Sequence, residues 1–304
     1  MKKLRIVITS FLLLSLTVII GVYGFNVYME NKVKEFLDRG LFSDEDVTYD
    51  SVDFSLFNRK IVIGNVLIHG EDGTIFIEKV HVYKYEDNLN AEIFFENIKG
   101  VQGKSREAYL KILDFFKKYG YEEVSLNFHI DTKTDKYKNI GHFKKLEIIV
   151  PSAFIANISL KLGNFDPDFW KSLELREIYT EEDIINIFSE IGALKLLEIE
   201  LYFKDEGFKN RYMNKMKEES GKDINTIKDN MERFIENYEN PQVKDFVRKL
   251  SFFLERGRII KVKLTPKRPI KLQDIFLILT INHTKTQDPS DIFLHYFNLY
   301  TEVY

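Results

Sequence analysis

The sequence predicts an α+β protein: a long antiparallel β-meander sheet with helical insertions, preceded by one N-terminal transmembrane helix. Three observations carry that expectation. An uncharged run from Ile6 to Phe25 follows Lys2, Lys3 and Arg5. From Val47 onwards, successive segments alternate apolar and polar residues with a period of two. Segments of helical period, opened by capping residues and closed by glycine, interrupt them.

The run of residues 6–25 rises about 1.5 Å per residue and reaches roughly 30 Å, the thickness of a bilayer's hydrocarbon core. Three cations precede it and no acid occurs before Glu30, so the positive-inside rule keeps residues 1–5 cytoplasmic. The reading is a single-pass protein of a bacterial inner membrane, its bulk in the periplasm. The rival is a cleavable signal peptide, but only Val22-Tyr23-Gly24 offers a small-x-small cleavage site. Residues 26–40 read as a helical stalk, with Val33, Phe36 and Leu37 on one side, and 41–304 as the periplasmic α+β domain.

Within that domain, Val47 to Tyr49 and Val52 to Leu56 alternate with a change of register between them, as a bulge requires. Ile61 to Ile68 is a strand, Gly70-Glu71-Asp72-Gly73 a turn, Thr74 to Tyr85 a third strand and Ala91 to Ile98 a fourth. Ser105 caps a helix carrying Tyr109, Leu110, Leu113 and Phe116 that stops at Gly120. A strand follows with Val124, Leu126, Phe128 and Ile130 on one face, and Leu146 to Leu162 reads as one long strand, apolar on both faces for much of its length. Asp166-Pro167 and Thr180-Glu181-Glu182-Asp183 open helices. Leu197 to Phe203 alternates, two or three amphipathic helices lie between Gly207 and Gly257, and strands close at Ile259 to Leu264 and Ile275 to Ile281. Asp288-Pro289 is expected to start a terminal helix with Ile292, Phe293, Tyr296, Phe297 and Tyr300.

Composition narrows the chemistry. A chain with no Cys has no disulfide scaffold, thiol nucleophile or Cys-ligated metal. A net charge of -3 argues against a nucleic-acid binder. No P-loop, G-x-S-x-G elbow, G-x-G-x-x-G turn or H-E-x-x-H pair is present. The six histidines (His69, His81, His129, His142, His283, His295) share no metal-ligand spacing. Acid pairs such as Asp166/Asp168 and Glu181/Glu182 stand where helix starts want negative charge. No cofactor and no catalytic residue is implied.

Two features point to binding. Residues 26–240 hold 30 bases against 41 acids, whereas 241–287 hold 11 bases against 3 acids. Within the latter, Arg256, Arg258, Lys261, Lys263, Lys267, Arg268 and Lys271 are candidate contacts for anionic headgroups, each attracted by about 1 kcal/mol near a membrane surface. The bland reading is a solvated strand face paired with the acidic remainder. The two-sided apolar stretch supplies Ile148, Val150, Phe154, Ile158, Leu160 and Leu162 as a candidate groove for acyl chains; filled core is its bland reading.

The segments V-T-Y-D-S-V-D-F-S-L-F (47–57), I-V-I-G-N-V-L-I (61–68) and D-G-T-I-F-I-E-K-V-H-V (72–82), behind an N-terminal anchor, resemble the opening of AsmA-like bacterial envelope proteins. The segments L-L-E-I-E-L-Y-F-K-D-E-G-F (196–208), F-V-R-K-L-S-F-F-L (246–254) and I-I-K-V-K-L-T-P-K-R-P-I-K-L (259–272) resemble the YdgA-like group of single-span envelope proteins. The first resemblance implies a groove-shaped sheet and a role in moving lipids, phospholipid or another envelope lipid, or in assembling proteins between membranes. This chain is far shorter than the bridge-forming members, which argues against direct bridging of the envelope. Three functions follow, in order: non-enzymatic lipid handling or envelope assembly; a scaffold presenting a sheet edge or its C-terminal helix to a partner; and a hydrolase with a site assembled from distant residues.

Overall fold

The period-two segments fold as strands in the computed structural model, which describes residues 46–55, 60–87, 89–174, 181–221, 223–237, 239–275, 277 and 294–304. The chain divides into two units. The first comprises residues up to Lys84 with Ile93–Lys111, and the second Tyr85–Glu92 with Ile112–Tyr304.

In the first unit, β1 (Asp46–Thr48) and β2 (Ser51–Ser55) pair along one edge of β3 (Lys60–Gly70), which pairs with β4 (Gly73–Asp87). The bulge expected between Tyr49 and Val52 is not formed: Thr48 faces Leu67 and Ser51 faces Gly64, so the register on β3 is unchanged and only the buried faces switch. Asn65 there has left-handed backbone, φ 53°, and its Nδ2 donates to Asp50. The buried positions of β3 shift across it from Ile63 to Val66, odd to even. β4 neighbours β5 (Asn90–Gly100), and the helix α1 (Gly103–Lys118) follows, its first turn held by Ser105 N–H donating to Asp72 O.

The second unit is built on an antiparallel sheet of order β6 (Asn127–Asp135), β7 (Ile140–Val150), β8 (Phe154–Gly163), β9 (Lys195–Asp205), β10 (Ile259–Pro266) and β12 (Phe297–Val303), with β11 (Ile270–Lys271) also pairing β9. Helices α2 (Pro167–Glu174) and α3 (Glu181–Ala193) lie between β8 and β9, and α4 (Phe208–Ser220), α5 (Ile224–Asn237) and α6 (Pro241–Glu255) between β9 and β10. Asn240 caps α6 by accepting from Gln242 N–H, with Pro241 in the first turn, as the sequence signals.

Several expectations are corrected. The transmembrane helix is not part of this architecture: among the described residues no helix is long and apolar enough to cross a membrane. The longest, α1, has 16 residues and would rise only about 24 Å. Residues 6–25 and the stalk at 26–40 lie outside the described residues. Leu146 to Leu162 is two strands, because Pro151 offers no N–H to a ladder and Ser152 takes left-handed backbone, φ 65°. Residues 272–275 are helical, and 278–281 lie outside the described residues. The expected terminal helix is strand β12 from Phe297 onwards, preceded by one helical turn at 294–296; residues 288–293 lie outside the described residues.

β12 ends the strand order, and α6 covers its open edge. Gln242 Oε1 accepts from Leu299 N–H at 2.9 Å, and Lys249 Nζ donates to Thr301 O at 2.7 Å. Seven residues separate Gln242 and Lys249, two helical turns, so one face of α6 meets two outward-facing backbone groups. An uncovered edge strand templates pairing with another chain. Lys249→Met is therefore expected to raise the average mass seen by sedimentation velocity above that of the wild type; an unchanged mass would count against this role of α6.

Candidate functional site

In an antiparallel ladder, directly opposed residues share a face. The registers place Leu146 opposite Ile158, Ile148 opposite Ala156, Ile158 opposite Leu201 and Ala156 opposite Phe203. Leu201 in turn opposes Val262, and Phe203 opposes Ile260. Eight apolar side chains from four neighbouring strands thus form one continuous floor. Phe246 and Leu250, one turn apart on α6, line it as well, and the groove, open to solvent, has a volume of about 360 Å³.

The floor is not covered as a core would be. Ile148, Ile158 and Leu201 retain 48%, 47% and 40% of their accessible surface. Filled cores bound it along the strand direction. On one side Phe116, Tyr121, Val150 and Ala153 are buried, with Phe154 and Phe208 packed against them. On the other, Leu162, Phe165, Leu194, Leu196, Ile270 and Phe297 are buried, with Phe143, Leu160 and Ile199 against them.

The six residues expected to line an acyl groove are therefore divided. Ile148 and Ile158 lie in the groove, Val150 and Phe154 in the first core, Leu160 and Leu162 in the second. Six other members (Leu201, Phe203, Ile260, Val262, Phe246, Leu250) were not singled out from sequence. Their alternation and helical spacing read as ordinary core, and only the strand registers bring them together.

The basic residues do not converge. Lys261 and Lys263 do share a strand face, as their spacing requires, but it is the face opposite the groove. Lys263 opposes Glu200 and its Nζ lies 2.7 Å from Glu198, a contact that raises its pKa. Lys261 opposes Tyr202 and Glu302 and lies over the rings of Tyr202 and Tyr304. Arg256 pairs with Glu255 at 3.0 Å, and Lys267 donates to Leu294 O. Arg258, Arg268 and Lys271 are exposed, the first before β10 and the other two beyond it.

The histidines sit in separate local contacts. His81 Nε2 lies 2.7 Å from Glu96, His69 Nδ1 3.0 Å from Thr74, and His129 between Glu92 at 3.4 Å and Glu147 at 3.5 Å. Among the described residues no group of three or more His, Asp or Glu is placed to hold a metal ion. Asp166 accepts from Asp168 N–H and opens α2, as its place at a helix start leads one to expect. His283 lies outside the described residues.

His142 Nε2 is 3.2 Å from Ser159 Oγ. Burial, then the neighbouring Lys161 and Lys144, hold its pKa below the ordinary 6.5, with Glu198 and Asp131 opposing. The unfolded chain therefore binds the proton more readily, so stability present above pH 6.5 is lost as pH falls through 6.5 towards the folded value. His142→Gln is expected to shrink the difference between urea midpoints at pH 7.5 and 5.5; an unchanged difference would contradict it.

Known proteins place the chain in a family. An uncharacterized protein of Aquifex aeolicus (strain VF5) is 30% identical over 270 residues, covering 86% of this chain and 88% of the relative. The chain belongs to that protein's family. A family model described as "Uncharacterized protein" also matches residues 147–290. That span begins on β7 and takes in most of the groove: Ile148, the β8 and β9 floor, Phe246 and Leu250 of α6, and β10.

Proposed function

We propose that this protein binds the alkyl chain of an amphiphile in the groove between the β7–β10 floor and α6, as a non-enzymatic lipid-handling protein. One observation carries the reading: Ile148, Ile158 and Leu201 are adjacent across three strands and remain about half exposed at the centre of a sheet face whose two ends are filled core. Covering three such branched side chains gains about 1 kcal/mol each, before the contribution of Phe246 and Leu250. The resemblance to AsmA-like proteins leads in the same direction.

The test is binding of a dodecyl amphiphile below its micelle concentration, by isothermal titration. Leu201→Arg puts a charge into the groove at a position exposed enough to tolerate it. It is expected to weaken binding at least tenfold, about 1.4 kcal/mol, with the urea midpoint nearly unchanged. Equal binding by both proteins would sink the reading.

A second reading, an interaction protein, has one observation in its favour. Helix α3 exposes Ile184, Ile185 and Phe188 on a segment that carries acids and no base. The sheet edge at β12 does not favour it, because α6 covers that edge.

A further inference from the structure

We propose that helix α3 is a contact between two copies of this chain, which pair through it antiparallel about a twofold axis at Phe188. The inference goes beyond the alkyl-chain reading and does not depend on it, since no groove residue lies on α3. It starts from exposure. Ile185 and Phe188 keep 67% and 70% of their accessible surface, and Ile184 and Ile191 are exposed with them. Residues three and four apart on a helix are neighbours, so Ile184, Phe188 and Ile191, with Ile185 alongside, form one stripe over two turns. A contiguous apolar patch left in water marks a surface that meets something.

Charge decides what that is. The first turn of α3 carries Glu181, Glu182 and Asp183, and the helix holds no base. Two residues past its end, Lys195 opens β9 directly opposite Lys271 of β11. Both lysines are exposed, and neither is ion-paired among the described residues. Like charges directly opposed on paired strands repel. One end of this surface therefore lacks the anions that its other end carries.

A second copy supplies them. Running the two helices parallel would set acid against acid. Running them antiparallel brings the acids of each copy to the lysines of the other, twice in one isologous contact. The spacing fits, because Phe188 lies midway between Glu181 and Lys195 and also between Ile185 and Ile191. Centred there, Glu181 of each copy meets Lys195 of the other, Ile185 meets Ile191, and the two Phe188 rings meet on the axis. The 13 residues of α3 span only about 20 Å. A single helix pair of that length falls below about 1,200 Å² of buried surface, the class of weak and transient contacts. The pairing is therefore concentration-dependent.

Sedimentation velocity of the full chain, from micromolar to several hundred micromolar, tests it. The average mass is expected to rise with concentration towards that of two chains. Phe188→Arg sets two like charges together on the axis and should weaken association at least tenfold. Its urea midpoint should stay nearly unchanged, because the side chain is mostly in water. Lys195→Glu alone should weaken association about threefold, and adding Glu181→Lys to it should restore the wild-type value. A mass of one chain throughout, or a rise that Phe188→Arg leaves intact, overturns the inference. So does a double variant that associates no better than Lys195→Glu alone.

Discussion

Gly73→Ala is expected to destabilise the protein by about 4 kcal/mol or more. Gly73 opens β4 with φ +124°, a backbone conformation that side-chain-bearing residues rarely adopt. A Cβ there would stand 2.1 Å from Gln102 O, 2.9 Å from Gln102 C and 3.0 Å from Gly103 Cα. All three are backbone atoms, so no rotamer change relieves the overlap. The contact is part of the first unit's construction: Val101 N–H donates to Thr74 O at 2.9 Å, and Ser105 N–H to Asp72 O at 3.1 Å. Moving Gly73 breaks the hairpin tip away from the start of α1. Gly64→Ala is the control, because its Cβ meets the Oγ of Ser51, an atom that can rotate away. Urea unfolding should show the large loss for Gly73→Ala and a much smaller one for Gly64→Ala; similar losses would mean that the backbone contact is not the cause.

Phe297→Ala is expected to cost about 3–5 kcal/mol. Phe297 is 1% exposed and packs in the core formed by Leu162, Phe165, Leu194, Leu196 and Ile270. Its loss leaves a cavity that branched neighbours from three different strands cannot collapse into without breaking their ladders. For a unit of this size the loss corresponds to a fall in Tm of roughly 10 °C. A midpoint within a few degrees of the wild type would contradict the burial described, and would suit the terminal helix that sequence suggested.

That terminal segment shows where the sequence is ambiguous. Phe293, Tyr296, Phe297 and Tyr300 recur at helical spacing, but Phe297, Leu299, Thr301 and Val303 also alternate. Pairing with β10 decides between the periods, since it buries Phe297 and Thr301 together. The break within Leu146 to Leu162 was missed, although Pro151, which has no N–H to give a ladder, marks it. Strands β4, β5, β9 and β10 and helix α6 follow their patterns closely, whereas β3 changes its buried face at Asn65 and α1 begins at Gly103, two residues before the cap expected at Ser105. The groove was legible only through Ile148 and Ile158, whose two-sided apolar stretch calls for a partner on each face. The basic run misled for a related reason. Neighbours in sequence on a strand alternate faces, and the acid that meets Lys263, Glu198, lies on another strand.

The central claim is that the half-exposed floor under α6 is where an alkyl chain sits. Methyl NMR of protein labelled at Ile, Leu and Val, titrated with a dodecyl amphiphile below its micelle concentration, tests it most directly. The account predicts saturable shifts at Ile148, Ile158, Leu201, Leu250 and Val262, with Leu196 and Leu294 in their filled cores unmoved. Shifts confined to Ile184, Ile185 and Ile191 on α3, or no saturable shift at all, would contradict it.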